Sequence, residues 1–294
     1  MKRVVITGAG GFVGSRLVQH YRDIWDITPL DHSRLELTDR EAVHAALAGA
    51  APQLVIHTAA LADTGYCENH PLESFEVNLQ APAALAEECA ALGAKLVLFS
   101  SDQVYNGTRR LGPLPEDAPL APVNVYGRHK WEAEQRVLEA CPDAVCLRAS
   151  WMYDFERPGL KNSTGFWGML RRSLAGKVPL SMAVREYRGI TWVQPVVAAM
   201  DKMAGLPGGV YNMGAENPLN TYATALECLG LLGAGDAALA LVRPDTERWP
   251  EFERNLSMDT SRLKAGCGVD FGDTTASFAA CLHAFEKQEG GNEV

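Results

Sequence analysis

An apolar run, Lys2–Thr7, passes through Gly8-Ala9-Gly10-Gly11-Phe12-Val13-Gly14 into an apolar helical stretch, Phe12–Tyr21. Few folds accommodate a strand that turns on glycines straight into a helix. The helix start behind such a turn offers free N–H groups and the positive end of a dipole, and glycine lets the backbone approach a pyrophosphate closely. The spacing is G-x-x-G-x-x-G (Gly8, Gly11, Gly14), with Gly10 extra, rather than G-x-G-x-x-G. It predicts a dinucleotide held by Gly8, Gly11 and Gly14, with Phe12 and Val13 at the helix start.

Apolar β-rich runs then alternate with helical stretches. The pattern predicts further strands at 26–31, 54–58, 95–100 and 144–148, and helices at 40–48, 71–92 and 123–139. Such alternation implies βαβ units and a parallel sheet covered on both faces. Beyond Arg148 it weakens. Residues 154–164 read as loop, 166–174 as a short helix, 177–190 as mixed strand and loop, 191–204 as strand then helix, and Gly209–Met213 as a short strand. The remainder reads as helical segments and loops, with a frayed polar tail over 286–294.

The fold class is therefore α/β, a doubly wound Rossmann sheet with a smaller carboxy-terminal substrate lobe. The expected division places the dinucleotide-binding domain at 1–150, its sheet completed by about 189–215. The lobe takes 151–188 and 216–294, and the cleft between the two is the default ligand site.

Among 294 residues, a net charge of −9 argues against nucleic acid or an anionic membrane as main partner. The seven cysteines (67, 89, 141, 146, 228, 267 and 281) are scattered, with no C-x-x-C and no histidines at zinc-ligand spacing. They predict neither a disulfide framework nor a metal site, and fit a reducing cytoplasm. The apolar run after Met1-Lys2-Arg3 ends in glycines, too short for a signal segment or membrane span.

Asp31 closes the second predicted strand, where an acidic residue would hydrogen-bond the adenosine ribose and favour NAD. It could equally open a turn at Asp31-His32-Ser33, and His32 or Arg34 could meet the 2′-phosphate of NADP. The cofactor is thus NAD or NADP, with the balance toward NAD. Glu36 and Leu37 could flank the adenine, or belong to a solvated loop.

Tyr126 and Lys130 stand four residues apart on the helix predicted behind Pro122, and so share one face. A cation beside a phenol lowers its pKa. The pair predicts proton transfer to a ketone oxygen near neutral pH, as hydride-transfer chemistry requires.

Several stretches together resemble the extended short-chain dehydrogenase/reductase family, and within it the dTDP-4-dehydrorhamnose reductases. They are Thr7-Gly8-x-x-Gly11-x-x-Gly14, Leu35-Glu36-Leu37-Thr38-Asp39, His57-Thr58-Ala59-Ala60, Tyr66-Cys67-Glu68 and Val77-Asn78-x-x-Ala81-Pro82. Phe99-Ser100-Ser101-Asp102-Gln103-Val104-Tyr105, Pro122 to Glu134 and Leu147 to Tyr153 follow in order, and Met258 to Leu263 resembles the family's terminal segment. The resemblance implies NAD(P)H-dependent reduction of a 4-keto sugar nucleotide, by a cytoplasmic enzyme that could be a homodimer. It implies that Ser101 holds the substrate carbonyl, Tyr126 donates the proton, and Lys130 also bonds the nicotinamide ribose. Ala59, Ala60 and Leu61 would line the cofactor, and Tyr105 and Trp151 would contact substrate. Asn78 would support a relay water or pack its helix.

The carboxy-terminal half departs from that pattern. Where relatives carry Asp-Gln-x-Gly-x-Pro-Thr, this chain has Arg185-Glu186-Tyr187-Arg188-Gly189-Ile190-Thr191. Asn255 follows Arg254 where a proline is common, and Ser101 replaces a threonine. Arg171, Arg172, Lys177, Arg185 and Arg188 are available for a diphosphate. Two other functions fit the motifs: a sugar-nucleotide epimerase or dehydratase of the same superfamily, and a non-catalytic dinucleotide-binding regulatory subunit, as in methionine adenosyltransferase. Ser101 is followed by Asp102-Gln103 rather than an Asp-Glu pair, which weighs against a dehydratase.

Overall fold

The computed structural model describes residues 1–290. Its elements run β1 (Lys2–Thr7), α1 (Phe12–Tyr21), β2 (Trp25–Leu30), α2 (Arg40–Ala50), β3 (Leu54–His57), α3 (Thr64–Asn69), α4 (Pro71–Phe75), α5 (Ala81–Leu92), β4 (Lys95–Ser101), α6 (Val125–Ala140) and β5 (Val145–Ala149). There follow β6 (Trp151–Tyr153), α7 (Phe166–Gly176), β7 (Leu180–Ala183), β8 (Glu186–Arg188), β9 (Ile190–Trp192), α8 (Val193–Ala198), α9 (Met200–Ala204) and β10 (Gly209–Met213). The chain closes with α10 (Thr221–Leu231), α11 (Asp236–Leu239), β11 (Val242–Asp245), β12 (Arg254–Leu256), α12 (Ser261–Cys267) and α13 (Thr274–Gly290).

Six parallel strands form the central sheet in the order β10-β5-β4-β3-β1-β2. Alternate residues of each inner strand feed opposite faces. Val4, Ile6, Leu54, Ile56, Val97 and Phe99 enter one core with α1, α8 and α9. Val5, Val55, Leu96 and Leu98 enter another with α2 and α5. Burial on both sides explains why these strands read as continuous apolar runs. The order reverses at β1, between β2 and β3, so the carboxyl ends of β1 and β3 open a crevice of the kind that holds ligands in such sheets.

The amino-terminal expectations hold to within a few residues, and the differences are local. The helical region over 71–92 is α4 and α5 joined by a turn of π-helix, Glu76–Gln80. The helix expected over 123–139 starts two residues later, because Asn124 caps it by accepting from the Gly127 N–H at 2.7 Å.

The carboxy-terminal half holds three strands the sequence did not announce, β6, β11 and β12. Short β11 pairs with β7 and β12 with β8, each in parallel, while β6 pairs with β9. Around them Tyr153, Phe155, Phe166, Leu170, Ile190 and Phe278 build a separate core. Pairs of three or four residues are too short for a periodic signature. The tail expected to fray from Glu286 is helical through Gly290, and its last four residues lie outside the described residues. Among the described residues no helix is long and apolar enough to cross a membrane.

Candidate active site

At the carboxyl ends of β1, β2 and β3 lies an elongated cleft of about 950 Å³. Gly8, Gly10 and Gly11 form one wall, Asp31, Glu36 and Leu37 another, and Ala59, Ala60 and Leu61 a third. The geometry of the glycine turn is specific. Gly8 has φ +69°, and a Cβ there would meet the Ala59 amide nitrogen at 2.7 Å. Gly11 ends the turn without any side-chain cap, and α1 carries no acid in its first turn. The helix start therefore presents uncapped N–H groups, as a pyrophosphate needs.

Three residues expected at the cofactor do not line the cleft. Gly14 faces inward: a Cβ on it would stand 2.2 Å from the Gly8 carbonyl oxygen, so this glycine lets the helix pack against the turn. Phe12 and Val13 are partly buried against the core beneath the sheet. Gly14→Ala should therefore destabilise the fold by about 2 kcal/mol or more and abolish dinucleotide binding. Thermal melts and titration with NADH and NADPH check it, and a well-folded variant with wild-type affinity would refute it.

Asp31 performs the turn role and lines the cleft at once. It follows β2, and its Oδ1 accepts from Ser33 N at 3.0 Å and Ser33 Oγ at 2.6 Å, which lowers its pKa. Glu36 likewise accepts from Thr38 N and Oγ1 at 3.1 and 2.8 Å. Lys161, which the sequence reading passed over, also reaches the cleft. Its carbonyl accepts from Arg16 Nη1 at 2.9 Å, and Arg16 is anchored to buried Asp154 at 2.9 Å. No spacing rule links position 161 to a turn near position 10.

Tyr126 and Lys130 are both buried on one face of α6. Gly127 brings this helix against the turn after β4, where any Cβ would meet the Gln103 carbonyl oxygen at 2.4 Å. Glu68 Oε1 accepts from the Val125 N–H at 2.6 Å, which gives the Tyr66-Cys67-Glu68 stretch a structural purpose. The Tyr126 hydroxyl consequently hydrogen-bonds the side chain of Ser101. Its ring packs with Cys67, Val125 and Leu61, and Leu61 also lines the dinucleotide cleft. Leu61 is thus the side chain shared by the two places.

The phenol differs from expectation in its acidity. Burial pushes its pKa up, Asp102 and Cys67 add to the rise, and the Ser101 hydrogen bond opposes it. Lys130 does not relieve this, because its ammonium donates to the Phe99 carbonyl at 2.6 Å. Burial lowers the Lys130 pKa to about 8, against the opposing charge of Glu134. Burial and then Lys130 likewise lower the pKa of His57, to about 3, leaving a neutral ring that shares a 2.7 Å hydrogen bond with Thr7 Oγ1. The phenol is therefore a proton-bearing group at neutral pH.

Asn78, on the π-turn, clamps the Leu61 peptide: Oδ1 accepts from its N–H at 3.0 Å and Nδ2 donates to its carbonyl at 3.1 Å. It is a packing asparagine in this arrangement. Tyr105 is fully buried, its hydroxyl held by Arg148 at 2.6 Å and Asn212 at 2.9 Å. Trp151 is half-buried, with the Arg188 guanidinium 3.8 Å from its ring centroid.

Of the five basic residues considered for a diphosphate, Arg188 alone joins the Ser101 neighbourhood. Arg171 pairs with Glu156 at 2.9 Å, Arg172 bonds the Thr164 carbonyl, and Arg185 bonds the Pro250 carbonyl. Lys177 closes α7 in a left-handed conformation. Arg188 instead forms an ion pair with Asp102, both fully buried, and lies 3.8 Å from Glu186, which pairs with Arg254. Arg254 Nη2 in turn donates to Gln103 Oε1 at 2.9 Å.

Comparison with known proteins gives a consistent result. Residues 1–284 match the family described as RmlD substrate binding domain. The dTDP-4-dehydrorhamnose reductase of Mycolicibacterium smegmatis is 34% identical over 271 residues, covering 91% of this chain and 81% of the relative. A crystal structure of dTDP-4-dehydrorhamnose reductase from Bacillus anthracis in complex with NADP superposes with a TM-score of 0.83 at 22% identity, covering 97% and 99% of the two chains. The UDP-glucose 4-epimerase of Thermus thermophilus in complex with NAD superposes at 0.73 and 22% identity, over 94% and 98%.

Proposed function

The chain belongs to the RmlD substrate binding domain family, whose members here are NAD(P)-dependent oxidoreductases of the extended short-chain type, and from that premise we propose that it reduces the 4-keto group of a sugar nucleotide. The observation that carries the reading is the protonated Tyr126 hydroxyl on Ser101, joined through Leu61 to a cleft walled by an uncapped helix start.

The cleft fits a dinucleotide by its own chemistry: glycines where a Cβ would collide, free amides at α1, and an acid at Asp31 for the ribose hydroxyls. The bound cofactor supplies a hydride. Ser101 holds the keto oxygen, and Tyr126 gives its proton to that oxygen as negative charge develops there. The Lys130 ammonium stands one helical turn away and, beyond its bond to the Phe99 carbonyl, has donors left for the ribose. In this reading the third core, around Tyr153, Phe155 and Phe278, belongs to a substrate lobe, and Trp151 offers its half-buried ring to the nucleotide or sugar.

Consumption of NADH and NADPH with a panel of 4-keto sugar nucleotides tests this. NADH is expected to be preferred, and Asp31→Ala should narrow that preference by about tenfold. Absence of turnover across the panel, with dinucleotide bound, would favour the regulatory reading. An epimerase would retain its NAD on purification, whereas the reductase exchanges it freely. A dehydratase needs a free acid beside the serine, and Asp102 is committed to Arg188.

A further inference from the structure

The proton donor sits in an electrostatically awkward place. Asp102 directly follows Ser101 and is fully buried, its Oδ1 3.4 Å from the Ser101 hydroxyl that meets the phenol, and its carboxylate charge opposes ionisation of that phenol. The other titratable or charged groups near Tyr126 do little to offset it. The Cys67 thiol, from α3, has a pKa raised by burial and stays neutral. Glu68 is spent on the Val125 amide, and Lys130 on the Phe99 carbonyl. The compensating cation comes from the other half of the chain, at Arg188 on β8.

Resting on the reductase reading, we infer that Arg188 is a positioning residue for proton transfer: by pairing with Asp102 and stacking on Trp151, it cancels a buried carboxylate beside the Tyr126 hydroxyl. Its place is over-determined. Arg188 Nη2 reaches Asp102 Oδ2, Nη1 faces Glu186, and the guanidinium plane covers the indole. Its Nε is buried without a partner. Arg254 repeats the theme, joining Glu186 to Gln103, so two arginines and two acids balance in a buried quartet.

A buried ion pair is a poor stabiliser compared with apolar packing of the same volume. Its presence beside a proton donor is better explained by what it does to that proton. As Tyr126 gives up its hydrogen, a phenolate forms near Asp102. With Arg188 in place the approaching charges are a phenolate and a neutral pair. Without it they are two anions in a dry site, which resist each other strongly. Arg188 touches neither the hydroxyl nor the keto group, and acts through Asp102 and Trp151.

The test compares the pH dependence of kcat at saturating NADH and keto sugar nucleotide. Reduction requires the protonated phenol, but Lys130 titrates first, at about 8, and burial holds the phenol well above its ordinary range. The phenol's limb is therefore followed with 3,5-difluorotyrosine at position 126, whose fluorines bring its ionisation within reach. Arg188→Met should move that limb upward by about one pH unit and lower kcat by about tenfold. Asp102→Asn should move it downward by a similar amount, and the double variant should return it close to wild type. Arg188→Lys, which keeps the charge, should hold the limb in place.

A purely structural role would produce no opposed shifts, so limbs that stay fixed, or move in the same direction, overturn the inference. If Arg188→Met fails to fold, Asp102→Asn decides alone: a limb that stays or rises refutes it. If the wild type turns over no keto sugar nucleotide, the reductase reading fails separately. The electrostatic inference is then read from the titration of 3,5-difluorotyrosine placed at position 126 by fluorine NMR, where the same opposed shifts are required.

Discussion

Tyr126→Phe is expected to lower kcat for keto sugar nucleotide by about a thousandfold, while dinucleotide affinity and the melting temperature stay close to wild type. The ring's contacts with Cys67, Val125 and Leu61 survive the change, because only the oxygen is removed. Ser101 loses one partner but keeps the Gln103 N–H at 3.2 Å, so the turn after β4 should hold. What disappears is the hydroxyl we propose as proton donor. Stopped-flow loss of NADH absorbance, with binding followed by fluorescence, separates chemistry from affinity. Normal turnover in this variant would remove Tyr126 from the mechanism and leave dinucleotide binding as the main activity.

Lys130→Met should combine a loss of function with a gain in stability. Turnover should fall by about a hundredfold or more, since the ammonium no longer holds the ribose in place for hydride transfer. The folded protein should nevertheless be more stable at pH 7 by about 2 kcal/mol, after allowing for the lost bond to Phe99. The sign follows from the lysine's pKa, which is lowered by burial from 10.5 to about 8. Below pH 8 both folded and unfolded chains carry the charge, and the folded one bears the full penalty of holding it in a dry site. Between about 8 and 10.5 the unfolded chain binds more protons, so wild-type stability rises with pH until the penalty is gone. The advantage of the variant is therefore largest below pH 8 and vanishes near pH 10.5. Urea denaturation of both proteins across that range checks it, and a variant less stable at pH 7 would refute it.

How far the sequence reached depended on the kind of signal each part carries. Strands β1, β3 and β4 are buried on both faces, so their apolar runs marked them within a residue or so. The glycine turn was legible because a backbone collision dictates Gly8 and Gly14, and such constraints show as residue type. Gly14 packs the helix against the turn, and a glycine needed for helix packing and one needed for a ligand look alike in a string of letters. Tyr126 and Lys130 were found by helical spacing, but the phenol's acidity was not. It depends on burial and on where the lysine donates, both products of tertiary packing. Arg188 stood among five equivalent basic residues until β8 brought it to Asp102, 86 positions away in sequence. Strands β6, β11 and β12 escaped notice because pairs so short are set by their neighbours.

The order in which these walls are made has a consequence for synthesis. By residue 161 a growing polypeptide has every side of the cleft at β1 to β3. Asp102 and Gln103 wait longer: the arginine that pairs with Asp102 arrives at 188, and the one that bonds Gln103, on β12, at 254. On the ribosome every residue that lines the cleft is thus made before the two arginines that balance charge beside Ser101.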